Sequence, residues 1–310
     1  MSTYDVAVVG GGPGGLSTAM YAGLRGMSVV TYEAETFGGQ LVNLYPSKPV
    51  TNFPAQLEVL SRDLALRLAD QAAGFGAELR EWRPVEHVGR RGKSFVIRTA
   101  EGEDEAKTLV LALGLGRFAP RRLGLPEEDR FLGKGLTYRL PPIEQIEAKQ
   151  AVVVGGGDTA LDTALSLKQV AEVTLVHRRE EFSAYAFSQR KLADAGLDVI
   201  TNGTVAGLRG DGRLQEVLVE RGDGARIRLP ADLLLVSIGQ TPDLAGIEQW
   251  ELGLSGSHIR VDSAMRADRE GLFAVGDYAA YSGKVRMIAT AVAEGSTAAS
   301  AAEMHLMSMS

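Results

Sequence analysis

A chain of 310 residues with net charge −6 is long enough for two domains, and its charge sign argues against a nucleic-acid partner. It has no cysteine, which excludes disulfides, thiolate nucleophiles and iron–sulfur clusters; His87, His177, His258 and His305 lack metal-ligand spacing, so no metal is expected. No apolar run reaches the length of a membrane span, and residues 1–4 lead into the first strand without a signal region, so a cytoplasmic protein with no membrane partner is expected.

Residues 6–9 form a short apolar run that reads as a buried parallel strand. Gly10, Gly12 and Gly15 follow in G-x-G-x-x-G spacing, with Pro13 at the helix start, and Leu16, Ala19, Met20 and Leu24 recur at helical intervals. Gly10 permits a tight turn, Gly12 lets backbone approach a pyrophosphate, and Gly15 lets helix and sheet pack closely. The free N–H groups of the helix then face the phosphates. A second strand, 27–32, ends at Glu33, 18 residues beyond Gly15, where a carboxylate can accept hydrogen bonds from ribose hydroxyls. Dinucleotide binding is the reading, with the dinucleotide itself open.

Residues 36–46 carry Gly39, Gln40, Leu41 and Tyr45, a set able to wrap a flat cofactor by hydrogen bonding and stacking. Leu57, Leu60, Leu64, Leu68 and Ala72 predict an amphipathic helix over 56–74. Strands are expected at 78–83 and 95–99, with a polar turn at 89–93. The run 109–114 is another buried strand, closing in Gly114 beside a cofactor-sized gap.

A second cycle opens with the strand 151–154 and with Gly155, Gly157 and Ala160, a G-x-G-x-x-A turn that also holds Asp158 and Thr159. Its second strand, 173–176, ends in His177, Arg178 and Arg179. Guanidinium groups there suit a 2′-phosphate, whereas Glu33 suits a free hydroxyl. The second site therefore prefers NADP(H). Strands at 233–239 and 271–277, the latter ending in Gly276-Asp277, precede a helix expected from Lys284 with Ala289, Ala293, Thr297 and Ala301 one turn apart. The expected fold class is α/β: two Rossmann-like nucleotide-binding domains, the NADP(H) domain (116–237) inserted into a discontinuous domain (1–115 and 238–310) for an adenine dinucleotide without the 2′-phosphate, joined near 112–118 and 236–242.

The ordered set GGGPGG with Glu33, Gly39-Gln40-Leu41, GGGDTALD, HRREEF and AVGD resembles flavoproteins with two dinucleotide-binding domains, within them the thioredoxin-reductase-like group. Thioredoxin reductase carries a C-x-x-C ahead of the second glycine motif, where this chain reads GLTYRLP. It is similar instead to the thioredoxin-reductase-like ferredoxin/flavodoxin–NADP(+) reductases, at Leu44-Tyr45-Pro46, at 116–121, and at Gly276-Asp277 followed by Tyr281-Ser282-Gly283-Lys284-Val285. The resemblance implies hydride transfer from NADPH to FAD, then single electrons to ferredoxin or flavodoxin, in a homodimer. No side chain is expected to act as acid, base or nucleophile, because the cofactor carries the chemistry.

On the same resemblance, Glu33 meets the adenosine ribose and Gln40 lies near the pyrophosphate or flavin. Tyr45 stacks on the isoalloxazine, Val85 meets adenine through its backbone, and Phe118 packs beside the flavin. Asp277 binds the ribityl or pyrophosphate region, and Thr297 sits at a helix start beneath the flavin pyrimidine. Arg117, Arg121, Arg122, Lys284 and Arg286 are candidates for a basic docking rim. Ser183 departs from the third arginine that the family often shows after HRR-x-x-F, the loop from Tyr45 to Phe53-Pro54 is shorter than the family's, and the chain ends at Ser310, short of a flavin-covering extension. These departures keep two alternatives open: an NAD(P)H flavin oxidase acting on quinones or oxygen, and a redox-sensing flavoprotein without NADPH turnover.

Overall fold

A computed structural model describes the chain except Tyr45, Ser47, Leu244, Ala245, residues 253–257 and Ser310, with backbone alone for 117–119 and 241–243. It divides into two units, Met1–Phe118 with Pro242–Ser310, and, inserted between those segments in sequence, Ala119–Thr241.

The first unit begins β1 (Thr3–Val9), α1 (Pro13–Leu24), β2 (Val29–Tyr32), α2 (Gln40–Asn43), β3 (Pro49–Val50), β4 (Val59–Leu60), α3 (Ser61–Gly74), β5 (Glu78–Arg80), β6 (His87–Arg91), β7 (Ser94–Thr99) and β8 (Gly102–Leu111). The chain leaves along β9 (Arg117–Pro120). The second unit holds α4 (Glu128–Phe131), β10 (Leu136–Thr137), β11 (Gln150–Val154), α5 (Asp158–Leu167), β12 (Glu172–Val176), α6 (Ala186–Ala195) and β13 (Asp198–Ile200). Then come β14 (Gly203–Arg209), β15 (Glu216–Arg221), β16 (Arg226–Pro230) and β17 (Leu233–Val236). The return along β18 (Gln240–Asp243) leads to β19 (Ile259–Arg260), β20 (Leu272–Ala274), β21 (Ala279–Ala280) and α7 (Ile288–Met309).

Register places the functional turns. In the first sheet, ordered β5-β2-β1-β8-β7-β6 with β20 also on β8, Val9 lies opposite both Tyr32 and Leu111, and Ala274 opposite Leu111. The residues that follow, Gly10, Glu33, Ala112 and Val275, therefore emerge together at the carboxyl edge of parallel strands, where open α/β sheets bind ligands. In the second unit, β10-β17-β11-β12-β13 are all parallel, and Val154 lies opposite Val176 and Val236. Gly155, His177 and Ser237 share that edge.

Several elements differ from expectation. The helix over 56–74 begins only at Ser61, because Leu60 is extended and β4 pairs with β3; Leu57 is 98% exposed. The polar turn at 89–93 shrinks to Gly92 and Lys93, since β6 runs through Arg91, and β8 starts seven residues earlier than the apolar run at 109. The antiparallel meander β14-β15-β16 had no counterpart in the sequence reading. Helix α7 starts at Ile288 and buries Glu294, Gly295, Ala298, Ala299, Ala301 and Ala302; of the expected row Ala289, Ala293, Thr297 and Ala301, Ala301 is buried and the other three are not.

One polar cluster pins the first sheet behind Glu33. Arg80 bonds Asp104 at 2.6 Å and the Tyr4 hydroxyl at 2.9 Å; Tyr32 donates to Asp104 at 2.9 Å, and the Ser2 N–H to its other oxygen at 2.9 Å. Burial alone would raise the Asp104 pKa, but the Ser2 N–H, Tyr32 and Arg80 outweigh it and hold the carboxyl below its usual range. A carboxyl lowered by folding stabilises above its ordinary pKa, and that contribution is lost as pH falls through the folded value. Asp104→Asn is thus expected to cost about 1–3 kcal/mol in urea unfolding at neutral pH. The deficit should shrink in acid; a deficit independent of pH would refute the charge-based account.

Candidate functional site

The first glycine turn is built by close approach. A Cβ at Gly10 would lie 2.3 Å from the Ala112 carbonyl oxygen, in a backbone already at φ +105°; one at Gly15 would lie 1.9 Å from the Gly10 oxygen. Gly12 is different. It caps α1 with φ −72°, and a Cβ there would meet nothing within 4 Å. Pro13 takes the first helical position and α1 has no acid in its first turn, so its N-terminal dipole is uncompensated. Among the described residues no backbone acceptor meets the N–H of Gly14 or Gly15. The turn thus holds donors without protein acceptors beside the open space at Gly12, which fits an anionic diphosphate.

Around it the expected partners converge. Glu33 accepts the Gly11 N–H at 2.7 Å and the Glu35 N–H at 3.0 Å, leaving each oxygen a second lone pair for a hydroxyl. Burial pushes the Glu33 carboxyl above its usual range despite those bonds. A Cβ at Gly39 would lie 3.1 Å from Gly12 Cα. Gln40 Nε2 donates to Asp277 Oδ2 at 3.2 Å, and a Cβ at Gly114 would sit 3.9 Å from the same Nε2. Leu41 is buried under this loop. Gly12, Gly39, Gln40, Gly114 and Asp277, scattered over the sequence, thus form one cradle. Val85 is half-buried two residues beyond Arg83, whose N–H bonds the Glu33 carbonyl at 2.8 Å. Tyr45 and the Phe118 side chain lie outside the described residues.

Thr297 is corrected. It stands ten residues into α7 with its hydroxyl bonded to the Ala293 carbonyl at 3.0 Å, not at a helix start. Lys284 is corrected as a rim cation too. Only 8% of its side chain is exposed, and it is ion-paired with Glu294, itself 4% exposed. Arg122 is committed to Glu128 (2.8 Å) and Asp129 (2.6 Å), and Arg286 bonds His258 at 2.8 Å.

In the second unit, a Cβ at Gly155 (φ +152°) would sit 2.4 Å from the Ser237 oxygen and 2.7 Å from Ala160 Cβ, so alanine just fits where the first turn has Gly15. Half-buried Thr159 sits beside Gly157 at the α5 start. Asp158, the first residue of α5, is held at the start of α6: its Oδ1 accepts from the Tyr185 N–H (3.0 Å) and Ser188 hydroxyl (2.7 Å). The His177 ring packs so close beneath Gly156 that a Cβ there would come within 2.0 Å, it stacks on Phe182 at 5.1 Å, and its Nε2 meets the Glu181 carbonyl at 3.0 Å. It is a strut for the turn. Ser183 closes the same turn, donating N–H and hydroxyl to the Gly156 oxygen at 2.8 and 3.1 Å. Arg178 and Arg179 are exposed, and neither has an ion-pair partner among the described residues.

The sequence reading also overlooked Phe37, which lies 2.2 Å from where a Gly11 Cβ would sit, and Glu294, whose carboxylate holds the Gly276 N–H at 2.7 Å. Glu294 had a signal: it is an isolated acid in the alanine-rich stretch 289–302.

The pyridine nucleotide-disulphide oxidoreductase family model matches residues 4–295. The chain belongs to that family. It is 41% identical over 299 residues to a ferredoxin–NADP reductase of Saccharopolyspora erythraea, covering 95% of this chain and 90% of the relative. It is 36% identical to ferredoxin–NADP reductase 2 of Sulfolobus acidocaldarius, over 99% of this chain and 94% of the relative. Among solved structures, thioredoxin reductase from T. acidophilum superposes with a TM-score of 0.88 at 26% identity over 100% of both chains. Lactococcus lactis thioredoxin reductase gives 0.87 at 26% identity over 98% of this chain and 99% of that one. The expected mixed α/β architecture of the thioredoxin-reductase-like class is borne out. Among the described residues no helix is long and apolar enough to cross a membrane, and no group of His, Asp or Glu could hold a metal ion.

Proposed function

We propose that this protein is an FAD-dependent oxidoreductase that takes electrons from NADPH and delivers them to ferredoxin or flavodoxin. The observation that carries the reading is a pair of intact glycine turns with opposite second-strand ends, Glu33 and Arg178-Arg179, in a chain with no cysteine. The first turn is assigned to FAD and the second to NADP(H). Relatives named ferredoxin–NADP reductase at 36–41% identity support the acceptor. The absence of cysteine removes the dithiol route that the name of the structural neighbours would suggest. A cytoplasmic homodimer, with no nucleic-acid or membrane partner, completes the proposal.

FAD, when bound, supplies acceptance of hydride from NADPH and its release as single electrons. The chain supplies placement. The Gly14 and Gly15 N–H groups and the α1 dipole receive the diphosphate, Glu33 receives ribose hydroxyls, and the Gln40–Asp277 pair fixes the opposite wall of the cradle. Arg178 and Arg179 receive the 2′-phosphate of NADPH.

One observation favours a second reading, reduction of small acceptors such as quinones or oxygen. Lys284, Arg122 and Arg286 are already engaged within the protein, which thins the cationic rim available to an acidic carrier. An NADPH-driven acceptor panel of ferredoxin, flavodoxin, menadione and oxygen separates the two. Fastest turnover with a carrier protein, slowing as salt rises, is expected. Menadione or oxygen turnover with both carriers inert would overturn the proposal in favour of the oxidase.

A further inference from the structure

The loop that presents Asp277 is held by a buried charge pair in addition to its own turn. Gly276 has φ +70° and opens the short 3-10 turn Gly276–Tyr278; its carbonyl accepts the Ala279 N–H, while its own N–H is met from outside that turn. Glu294 Oε2 accepts the Gly276 N–H at 2.7 Å, and Lys284 Nζ donates to the Gly276 carbonyl at 2.9 Å. The same two side chains are ion-paired to each other, and Tyr281 donates to Glu294 Oε1 at 2.6 Å. Burial and that bond push the Tyr281 hydroxyl up to about 12, so it stays a donor throughout the physiological range.

The unit is tied to the glycine turn as well. Gly295, next to Glu294, packs so tightly on α1 that a Cβ would lie 2.5 Å from the Gly14 oxygen, and Ser17 donates to the Val292 carbonyl at 2.6 Å. One short stretch of α7 therefore contacts both the start of α1 and the Gly276-Asp277 loop.

We propose that Lys284 and Glu294 are cofactor-positioning residues: together they clamp the Gly276 peptide and so aim Asp277 at Gln40 and at the bound cofactor. Both side chains are buried in the clamp, which keeps them from the surface a carrier protein would meet. The inference rests on the FAD reading of this cradle. A buried pair that loses one member leaves an uncompensated charge beside the loop, whereas losing both removes that penalty. The two single variants should thus be coupled, not additive.

The test is FAD release from the holoprotein on serial dilution, followed by free-FAD fluorescence, for the parent, Lys284→Met, Glu294→Gln and the double variant. Far-ultraviolet circular dichroism and the flavin absorption envelope are recorded alongside. Each single variant is expected to raise the FAD Kd about tenfold to a hundredfold and to blur the flavin band. The double variant should be no worse than the weaker-binding single. FAD affinity and spectrum within twofold of the parent, or losses that multiply in the double variant, would overturn the clamp. If the charge variants do not fold, Tyr281→Phe, which loosens Glu294 without unpairing it, should raise the Kd about threefold or more; a parental Kd would overturn the proposal equally. A parent protein that holds no FAD would instead overturn the FAD reading itself.

Discussion

Gly12→Val is expected to strip the protein of FAD while leaving it folded. Gly12 has ordinary φ, −72°, and a Cβ would meet no protein atom within 4 Å, so a side chain can branch there without backbone strain. The space it fills is where the diphosphate must approach the α1 donors. Weaker capping of α1 costs about 1 kcal/mol, whereas blocking the approach should weaken FAD retention on the order of a hundredfold or more. Gly15→Val is the contrasting case. Its Cβ would fall 1.9 Å from the Gly10 oxygen and 3.1 Å from Ala112 Cβ, so helix and sheet must separate, a loss of about 1–3 kcal/mol or more. Flavin-to-protein ratio after gel filtration and thermal unfolding distinguish them. A Gly12→Val protein that keeps its FAD would remove the first turn from the site.

The second large effect concerns nucleotide choice. Arg178 and Arg179 are exposed at the end of β12 with no ion pair among the described residues. A hydrogen bond to a charged group contributes about 1.5–3 kcal/mol, and solvent screening places these two near the lower end. The double variant Arg178→Ala/Arg179→Ala should therefore lower kcat/KM for NADPH roughly a hundredfold. With NADH, which lacks the 2′-phosphate, kcat/KM should change by less than about threefold. Equal losses with both nucleotides would mean that the arginines support the fold rather than select the phosphate. Ser183 does not compensate for the missing third cation, because its hydroxyl is already given to the Gly156 carbonyl.

The strands that carry the site were legible because buried parallel strands read as unbroken apolar runs, and residues 6–9, 151–154 and 233–236 do so. Their aligned ends put Gly10, Glu33, Gly155 and the arginines where spacing placed them. The meander β14-β15-β16 was not legible, since Arg209, Glu216, Glu220 and Arg226 dilute its alternation with charge on its outer face. Two side chains are more enclosed than their residue types suggest, for one reason. Lysine and histidine read from sequence as surface groups or ligands, yet Lys284 and His177 are buried here because each found a fixed backbone partner, the Gly276 and Glu181 carbonyls. Sequence spacing carries no information about such non-local acceptors. The same holds for Gln40 and Asp277, both singled out from sequence, whose mutual bond spans 237 positions.

Electron flow through a cysteine-free chain is the central claim, and an anaerobic titration tests it most directly. One equivalent of NADPH should bleach the visible absorbance of the FAD-loaded protein, and two equivalents of a one-electron ferredoxin should then restore it. NADH at the same concentration should bleach it more slowly. Absorbance that stays unbleached with either nicotinamide would contradict the account and favour a sensing flavoprotein; bleaching that ferredoxin and flavodoxin both fail to reverse would contradict the acceptor.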